Sequence, residues 1–452
     1  MNGLDLRDSV PEGSPSLTRL ALLQRGLTVV GALSLGALRA APAGASPWPP
    51  PSAYPADVPA AWFDLALDLV RTTSGFSPPV ASRAVAYAGV ALYEAFADDS
   101  AGGSFAGRLN GLTELRRPSD DVYHWPTVAN AALASILRAL FPTASAANVA
   151  AIDRLESGYA EEGRAMLPPG VFRRSVQRGR DAAGHVFAWS TTDGGHEAFR
   201  NNFPPYSPPT GPGLWVRTPP AFLPALQPYW GSNRTFALPS GTGCAPPPPL
   251  PYSEIPGSDF YEDAYGCYVV TTHLDAEQEA IARFWSDDPG TTATPPGHSI
   301  SILTQILRGQ DARLGSAAEA YARVGFAVAD AFIACWQTKY TYNLLRPVTY
   351  IPLVIDPTWS PLLMTPPFPE YTSGHSVQSA AAARVMTDLF GAVSFTDHTH
   401  DARGLPARSF SSVQAAAQEA AISRVYGGIH FQAAIERGLA QGDCVGARAS
   451  AI

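Results

Sequence analysis

Charged residues are scarce in this sequence of 452 residues: only 15% are Asp, Glu, Lys or Arg, and the formal net charge is -8. No run rich in lysine or arginine occurs, so we expect no nucleic-acid partner. Hydrophobic residues make up 46% of the chain, which is enough to bury a large core.

Long apolar runs are also missing. The clearest is LTVVGALSLGAL, residues 27–38, which is shorter than the roughly 20 residues that cross a bilayer. Arg19 and Arg25 precede it, and Ala43-Gly44-Ala45 fits a small-residue cleavage site. The sequence therefore predicts a secretory signal peptide over 1–45 and a secreted or periplasmic protein over 46–452, without a membrane span. The alternative for this segment is a buried N-terminal helix.

Cysteine is rare, with four in the chain. Cys244 and Cys267 flank a proline-rich loop, where a disulfide would be useful in an oxidising compartment. Cys335 and Cys444 lie in helical patterns, so we expect them to be buried as small apolar residues. The pairing stays open at this stage.

Strand patterns are sparse as well, and Tyr268–Thr272 is the best of them. Helical periodicity dominates and predicts an all-α bundle, with N-terminal helices and long loops over 46–275 and a second bundle over 276–452. Between 203 and 251, proline, glycine and aromatic residues predict an ordered excursion packed over the helices. The candidate helices are 59–71, 79–96, 126–140, 147–165, 173–190, 276–285, 299–309, 317–345, 376–390, 413–426 and 431–447.

Three segments near the C-terminus carry chemistry. The first is WQTKYTYNLLRP, residues 336–347, in which Lys339 and Arg346 are seven residues apart. This spacing is two helical turns, so both side chains are expected on one helix face, with Arg346 near the end that Pro347 imposes. Two such cations usually form a solvated surface, but Trp336 and Leu344 beside them make full exposure unfavourable.

The second segment is FPEYTSGHSVQ, residues 368–378. Thr372 or Ser373 can cap the helix that follows, and Gly374 allows a bound group to approach the backbone. The free amides of the first helical turn would then face an oxyanion. His375 would lie beside that anion and carry a proton. The alternative is that this segment serves only as a helix cap.

The third segment is ISRVYGGIHFQ, residues 422–432. In a continuous helix, Arg424 and His430 would point about 240° apart. Gly427-Gly428 interrupts the helix and lets both side chains reach one site. Together the three segments offer three cations, a hydroxyl, backbone amides and two imidazoles, a set that suits a tetrahedral or trigonal oxyanion.

In this order, K-x6-R-P, S-G-H and S-R-x5-H resemble the type-2 phosphatidic acid phosphatase superfamily, which includes acid phosphatases and vanadium-dependent haloperoxidases. Thr372 stands where the family usually has proline. Ala434 stands where the phosphatases have an aspartate that orients the nucleophilic histidine, so Glu436 or a backbone carbonyl would have to orient His430.

Within this superfamily, the sequence resembles the bacterial vanadium haloperoxidases more than the phosphatases. Trp336 and Phe368 look like the aromatic residues on the halide side of chloroperoxidase- and iodoperoxidase-type sites, although Trp336 could be an ordinary core aromatic. The large N-terminal helical portion also suits haloperoxidases better than the compact acid phosphatases.

The resemblance implies vanadate as the cofactor, with halide and hydrogen peroxide as substrates. It implies that His430 ligates the metal while Lys339, Arg346, Arg424, Ser373 and the Gly374 amide neutralise the vanadate oxygens. His375 would take a proton as hydrogen peroxide binds, and Lys339 would polarise the peroxide.

Two other functions remain open at this stage. An acid phosphatase would use His430 as the nucleophile and His375 as the acid. A catalytically silent helical binding protein would merely retain the anion pocket. His298 is expected to be structural. His398 and His400, with Asp397 and Asp401, are expected to lie in a polar surface loop, with a cation site as the alternative. Iodide or bromide fits the aromatic wall, while a small organic substrate and a homodimer are further expectations.

Overall fold

The computed structural model describes residues 48–99, 102–115 and 122–452. The predicted signal peptide lies outside the described residues. From Pro47 onward the chain forms one compact unit. No helix in the described ranges combines the length and apolarity needed to cross a membrane.

The described residues form an all-α fold with a small two-stranded sheet, as predicted. The helices are α1 (Asp57–Thr72), α2 (Pro78–Glu94), α3 (Trp125–Leu140), α4 (Ala146–Met166), α5 (Pro169–Ser190), α6 (Asp259–Thr272), α7 (Ala276–Phe284), α8 (Thr294–Gly309), α9 (Leu314–Tyr342), α10 (Pro347–Val354), α11 (Gly374–Phe390), α12 (Val413–Tyr426) and α13 (Gln432–Ser450). The strands β1 (Phe395–Asp397) and β2 (Arg408–Phe410) pair antiparallel, with Phe395 opposite Phe410.

All eleven predicted helices are present, most with ends shifted by a few residues. The predicted strand Tyr268–Thr272 is wrong, because these residues form the last turns of α6. Val269 and Thr272 are exposed and Val270 and Thr271 are half-buried in this helix, and Ser258 caps its start with its side chain. The short helix α10 was not predicted; Pro347 occupies its first turn, where the missing N–H costs nothing.

Helix α9 runs through the core and is buried along most of its length. It lies against α2 at glycine contacts: a Cβ on Gly89 would fall 2.5 Å from the Tyr321 carbonyl oxygen, and one on Gly325 would fall 3.0 Å from Ala86 Cα. Helices α11 and α13 meet in the same manner at Gly438 and Gly442. Because only glycine permits these approaches, the backbones that carry the site are held at fixed separations.

The segment 203–251 is ordered and packs over the helices, as expected. It has one single-turn 3₁₀ helix, Trp230–Ser232, and buries Trp215, Phe236 and Leu238. The buried carboxylate of Asp330 on α9 holds it by accepting hydrogen bonds from the amides of residues 236, 237 and 238.

A disulfide joins Cys244 in this segment to Cys444 on α13. Cys267 and Cys335 are free and buried. The expectation for Cys444 as an unpaired apolar residue is therefore wrong, and so is the idea of Cys267 as the partner of Cys244. Residues 200 positions apart meet because the segment folds back onto the C-terminal helix, which no local pattern reveals.

Candidate active site

Lys339 lies near the C-terminal end of α9 and is fully buried. Its Nζ donates hydrogen bonds to the carbonyl oxygens of Pro369 and Glu370, both at 2.9 Å. An ammonium has three protons, so one donor is left for a ligand. Burial lowers the pKa of Lys339 to about 7.

Arg346 reaches the same place by a different path from the one the sequence predicted. Helix α9 ends at Tyr342, Asn343 takes a left-handed conformation with φ of 48°, and Arg346 precedes the first turn of α10. The two cations are therefore not on one helix face, because the helix ends between them. Arg346 Nε donates to the Phe368 carbonyl oxygen at 2.9 Å and Nη1 to that of Ile429 at 2.7 Å, while the buried Nη2 has no partner.

Ser373 is the N-cap of α11, and its hydroxyl accepts from the Ser376 amide at 3.4 Å. Thr372 does not cap the helix but donates to Gln441 Oε1 at 2.6 Å. Gly374 and His375 line a cavity, and His375 Nε2 is buried without a partner. Burial and the nearby Arg424 charge hold the pKa of His375 well below its usual value, so its ring is neutral.

Arg424 and His430 are brought together by the predicted break between α12 and α13. Helix α12 ends at Tyr426, and Gly428 has a φ of 72°. Arg424 Nη2 donates to the Ala282 carbonyl oxygen at 3.1 Å, and both Arg424 and His430 line the cavity. Burial, Arg346 and Lys339 keep the pKa of His430 well below its usual value.

His430 is oriented by Glu370, a residue that the sequence interpretation missed. Glu370 Oε1 lies 2.8 Å from His430 Nδ1 and accepts the Phe431 amide at 2.9 Å. Glu436, the residue first considered, is exposed and bonds Gln432 instead. The Nδ1 proton of neutral His430 therefore points at Glu370, which leaves Nε2 as the ring nitrogen with a lone pair, 3.0 Å from Arg346 Nη1.

Burial raises the pKa of Glu370 to about 8, against the opposing charges of Arg346 and Lys339. Oε2 has no partner, so a proton taken up by the carboxyl can sit there without disturbing the contact with His430. One signal in the sequence could have revealed this role: Glu370 is a carboxylate in the same short segment as His375, among apolar and aromatic neighbours.

Trp336 and Phe368 form the aromatic wall beside these groups, with ring centroids 5.0 Å apart. Lys339 Nζ and Arg346 Cζ lie 5.0 Å and 4.9 Å from the Phe368 centroid. Phe368 therefore stabilises both cations by cation–π contact. Trp336 lines the cavity, as Phe368 does.

A buried cluster of Asp287, His298 and Asp397 stands behind the His375 side of the site. The His298 ring nitrogens contact Asp287 Oδ2 at 2.8 Å and Asp397 Oδ2 at 2.7 Å. Burial opposes a charge here, but the two carboxylates outweigh it and raise the pKa of His298 to about 10. His298 is thus an imidazolium that donates to both, and it stacks on the Trp285 ring with centroids 4.4 Å apart.

The prediction of a polar surface loop is correct for His398, which is exposed, and wrong for Asp397 and His400, which are buried. His400 Nε2 lies 3.3 Å from Asp287 Oδ1. Asp287, His298 and His400 have the residue types of a metal site. Because His298 already contacts a carboxylate through each ring nitrogen, we interpret the cluster as a structural ion network. Asp287 connects it to the site by lining the same cavity.

Comparison with known proteins now decides the family. Residues 319–452 match the family model for the VCPO second helical-bundle domain. A solved bacterial vanadium-dependent iodoperoxidase is 37% identical, with a TM-score of 0.80, 88% of this chain covered and 96% of that chain. The chain belongs to the vanadium-dependent haloperoxidases.

Two further haloperoxidase structures share the fold. The holo and apo forms of a bacterial vanadium-dependent chloroperoxidase have 17% and 16% identity and TM-scores of 0.63 and 0.62, each with 84% of this chain and 93% of that chain covered. No curated protein sequence matches the chain significantly.

The haloperoxidase cofactor is vanadate, and the chemistry of the donor set fits it. Buried donors without a protein partner converge here: Arg346 Nη2 and the third proton of Lys339, together with the amides at the start of α11. His430 Nε2 would supply the neutral imidazole ligand, and Arg424 and Ser373 would complete the set. A cluster of buried cations without carboxylate salt bridges is costly unless an anion offsets it, which is what vanadate provides.

Proposed function

We propose that this haloperoxidase oxidises iodide most readily and bromide second, with hydrogen peroxide as the oxidant. The observation that carries the halide preference is the Trp336–Phe368 wall beside the cradle. Large, weakly hydrated halides give up little hydration free energy when they move from water to an aromatic wall, whereas chloride gives up more. The similar solved protein is an iodoperoxidase, which supports the same preference.

The cofactor and the residues of the site have separate roles in halide oxidation. Bound vanadate supplies Lewis acidity without a change of oxidation state. Lys339, Arg346 and Arg424 offset negative charge, and Glu370 holds His430 in the tautomer that presents Nε2. His375, neutral and with Nε2 directed at no protein group, takes the proton that hydrogen peroxide releases. Lys339, with one Nζ proton left for a ligand, would polarise the peroxide by donating a hydrogen bond to it.

Phosphate-ester hydrolysis is a second candidate activity of the vanadate-free protein. The missing aspartate at position 434 argued against it, but the Glu370–His430 contact provides the same orientation from another segment. This contact supports His430 as a nucleophile for phosphoryl transfer. We expect this activity to be weak and to disappear when vanadate occupies the cradle.

The halide preference is tested by initial rates with iodide, bromide and chloride at one peroxide concentration on vanadate-loaded enzyme. The expected order of kcat/KM is iodide, then bromide, then chloride. An enzyme that oxidises chloride or bromide as fast as iodide would contradict the proposal.

Export is a further part of the proposal. The N-terminal pattern of residues 1–45 and the Cys244–Cys444 disulfide both support a secreted or periplasmic enzyme. N-terminal sequencing of the protein from the exported fraction tests it; an intact Met1 there would contradict it. A homodimer stays a prediction, tested by light scattering.

A further inference from the structure

The cavity that opens onto the oxyanion cradle has a volume of about 620 Å³. A water-sized molecule occupies about 30 Å³, so a halide ion and hydrogen peroxide would fill only a small part of it. Cavities of roughly 300–1,000 Å³ hold small organic ligands. We call its outer part the acceptor chamber and define it by Phe76, Phe203, Leu223, Leu226, Phe332 and Met364, all of which line it.

The charged groups that line this cavity are Arg424, Asp287, Asp288 and Arg71, with the two histidines of the cradle beside them. Arg424, His375 and His430 belong to the cradle, Asp287 is paired with His298, and Asp288 is exposed to solvent. Arg71, at the rim, is paired with Asp68 and half exposed. The six chamber residues themselves are apolar, so a charged guest would lose its hydration there without gaining a partner.

The mouth of the chamber exposes apolar side chains to solvent. Phe203 is 39% exposed, Leu223 42% and Met364 67%. Phe76, Leu226 and Phe332, deeper in the chamber, are buried. An exposed apolar patch that continues into a buried apolar wall marks a ligand entrance rather than random surface.

We propose that the acceptor chamber binds a neutral, apolar, electron-rich organic molecule, an aromatic or an olefin, which is halogenated before the oxidised halide leaves the protein. This inference rests on the haloperoxidase activity, which supplies the electrophilic halogen. Halide gives up two electrons, and hydrogen peroxide accepts them together with one proton from solvent, which yields hypohalous acid and one water. A carbon–hydrogen bond of the acceptor then breaks, a carbon–halogen bond forms, and the released proton leaves with hydroxide as a second water.

Selectivity between two acceptors that differ in charge tests the proposal. 1-Naphthol and a 1-naphthol sulfonate compete for iodination by the vanadate-loaded enzyme, and the product ratio is compared with that given by added hypoiodous acid. We expect the enzyme to favour the neutral naphthol by about tenfold more than the free reagent does, because the sulfonate would have to be desolvated in the chamber.

Variants at the mouth should remove this selectivity. In Leu223→Glu/Met364→Glu, two carboxylates enter the rim at exposed positions, and the product ratio should fall towards that of the free reagent. The matched control is Leu353→Glu, an apolar residue that is 68% exposed and does not line the cavity; it should keep the wild-type ratio. A wild-type ratio equal to that of hypoiodous acid would overturn the proposal.

Binding without turnover separates this inference from the activity on which it rests. Fluorescence titration of the vanadate-free enzyme should show 1-naphthol quenching tryptophan emission, since Trp336 lines the cavity, with the sulfonate at least about tenfold weaker. Equal affinity for both probes, or none for 1-naphthol, would refute the chamber even in an active enzyme. An enzyme that binds 1-naphthol selectively but oxidises no halide would refute the activity instead.

Discussion

Glu370 Oε1 lies 2.8 Å from His430 Nδ1, across 60 residues of sequence. Glu370 belongs to the segment that also carries Ser373, Gly374 and His375, so one stretch of chain both builds a wall of the cradle and orients the ligand on the opposite side. A carboxylate behind a metal-binding histidine raises the basicity of the ring and fixes its tautomer.

Glu370→Ala should weaken vanadate binding by about 10–100-fold, since His430 would lose the acceptor that fixes its ring. Glu370→Gln keeps an acceptor oxygen without the charge, so its affinity for vanadate should lie between those of Glu370→Ala and the wild type. Isothermal titration with vanadate measures both. Glu436→Gln, at the exposed carboxylate one turn into α13, is the control and should bind as wild type does. If Glu370→Ala bound vanadate normally, the orienting role would be wrong.

Alanine variants of the two site histidines should distinguish a role in vanadate binding from a role in turnover. His430→Ala should abolish vanadate-dependent halide oxidation and vanadate binding together. His375→Ala should keep measurable vanadate binding and lower kcat by roughly 10²–10⁴-fold, because it removes only proton transfer. Parallel vanadate titrations and kinetics distinguish the cases. Wild-type turnover in His375→Ala would remove this residue from the mechanism.

The His298 network should make stability depend on pH in a defined direction. Folding raises the pKa of His298 from about 6.5 to about 10, so the folded protein retains a proton that the unfolded chain loses in this window. The stabilisation is fully present below pH 6.5 and is lost as the pH rises to 10.

We therefore expect His298→Gln to lower the free energy of unfolding by roughly 2–4 kcal/mol more at pH 6 than at pH 10, measured by urea denaturation. The exposed His273, changed to Gln, is the control and should show a difference near zero. Equal losses for His298→Gln at both pH values would show that the ring is not charged in the native state.

The Cys244–Cys444 disulfide should contribute to stability because it closes a long loop. Reduction, or Cys244→Ser/Cys444→Ser, should cost about 2–5 kcal/mol of unfolding free energy. Denaturation with and without dithiothreitol measures it. Dithiothreitol should not lower the unfolding free energy of the double variant any further. If it lowered that free energy as much as in the wild type, the effect of the reductant would not come from this disulfide.

Much of this fold was accessible from sequence because amphipathic helices have a strong apolar period, as α1 and α3 show. The strand prediction for Tyr268–Thr272 was wrong because the strand propensity of a few β-branched residues is weak. These residues continue the helix that Ser258 caps. The cradle residues were identified by local motifs with fixed spacing. The role of Glu370 was missed because its partner, His430, lies on another segment of the chain. The burial of His400 was missed because a polar local sequence does not show whether a residue is exposed.

Vanadate-dependent halide oxidation is the measurement that tests the central claim most directly. The purified protein, stripped of oxyanion and then titrated with vanadate, is assayed for peroxide-dependent triiodide formation and, in parallel, for phosphate-ester hydrolysis. Iodide oxidation should rise from near zero and saturate with one vanadate per chain, while ester hydrolysis stays weak and falls. Strong ester hydrolysis with no halide oxidation at saturating vanadate would contradict the account.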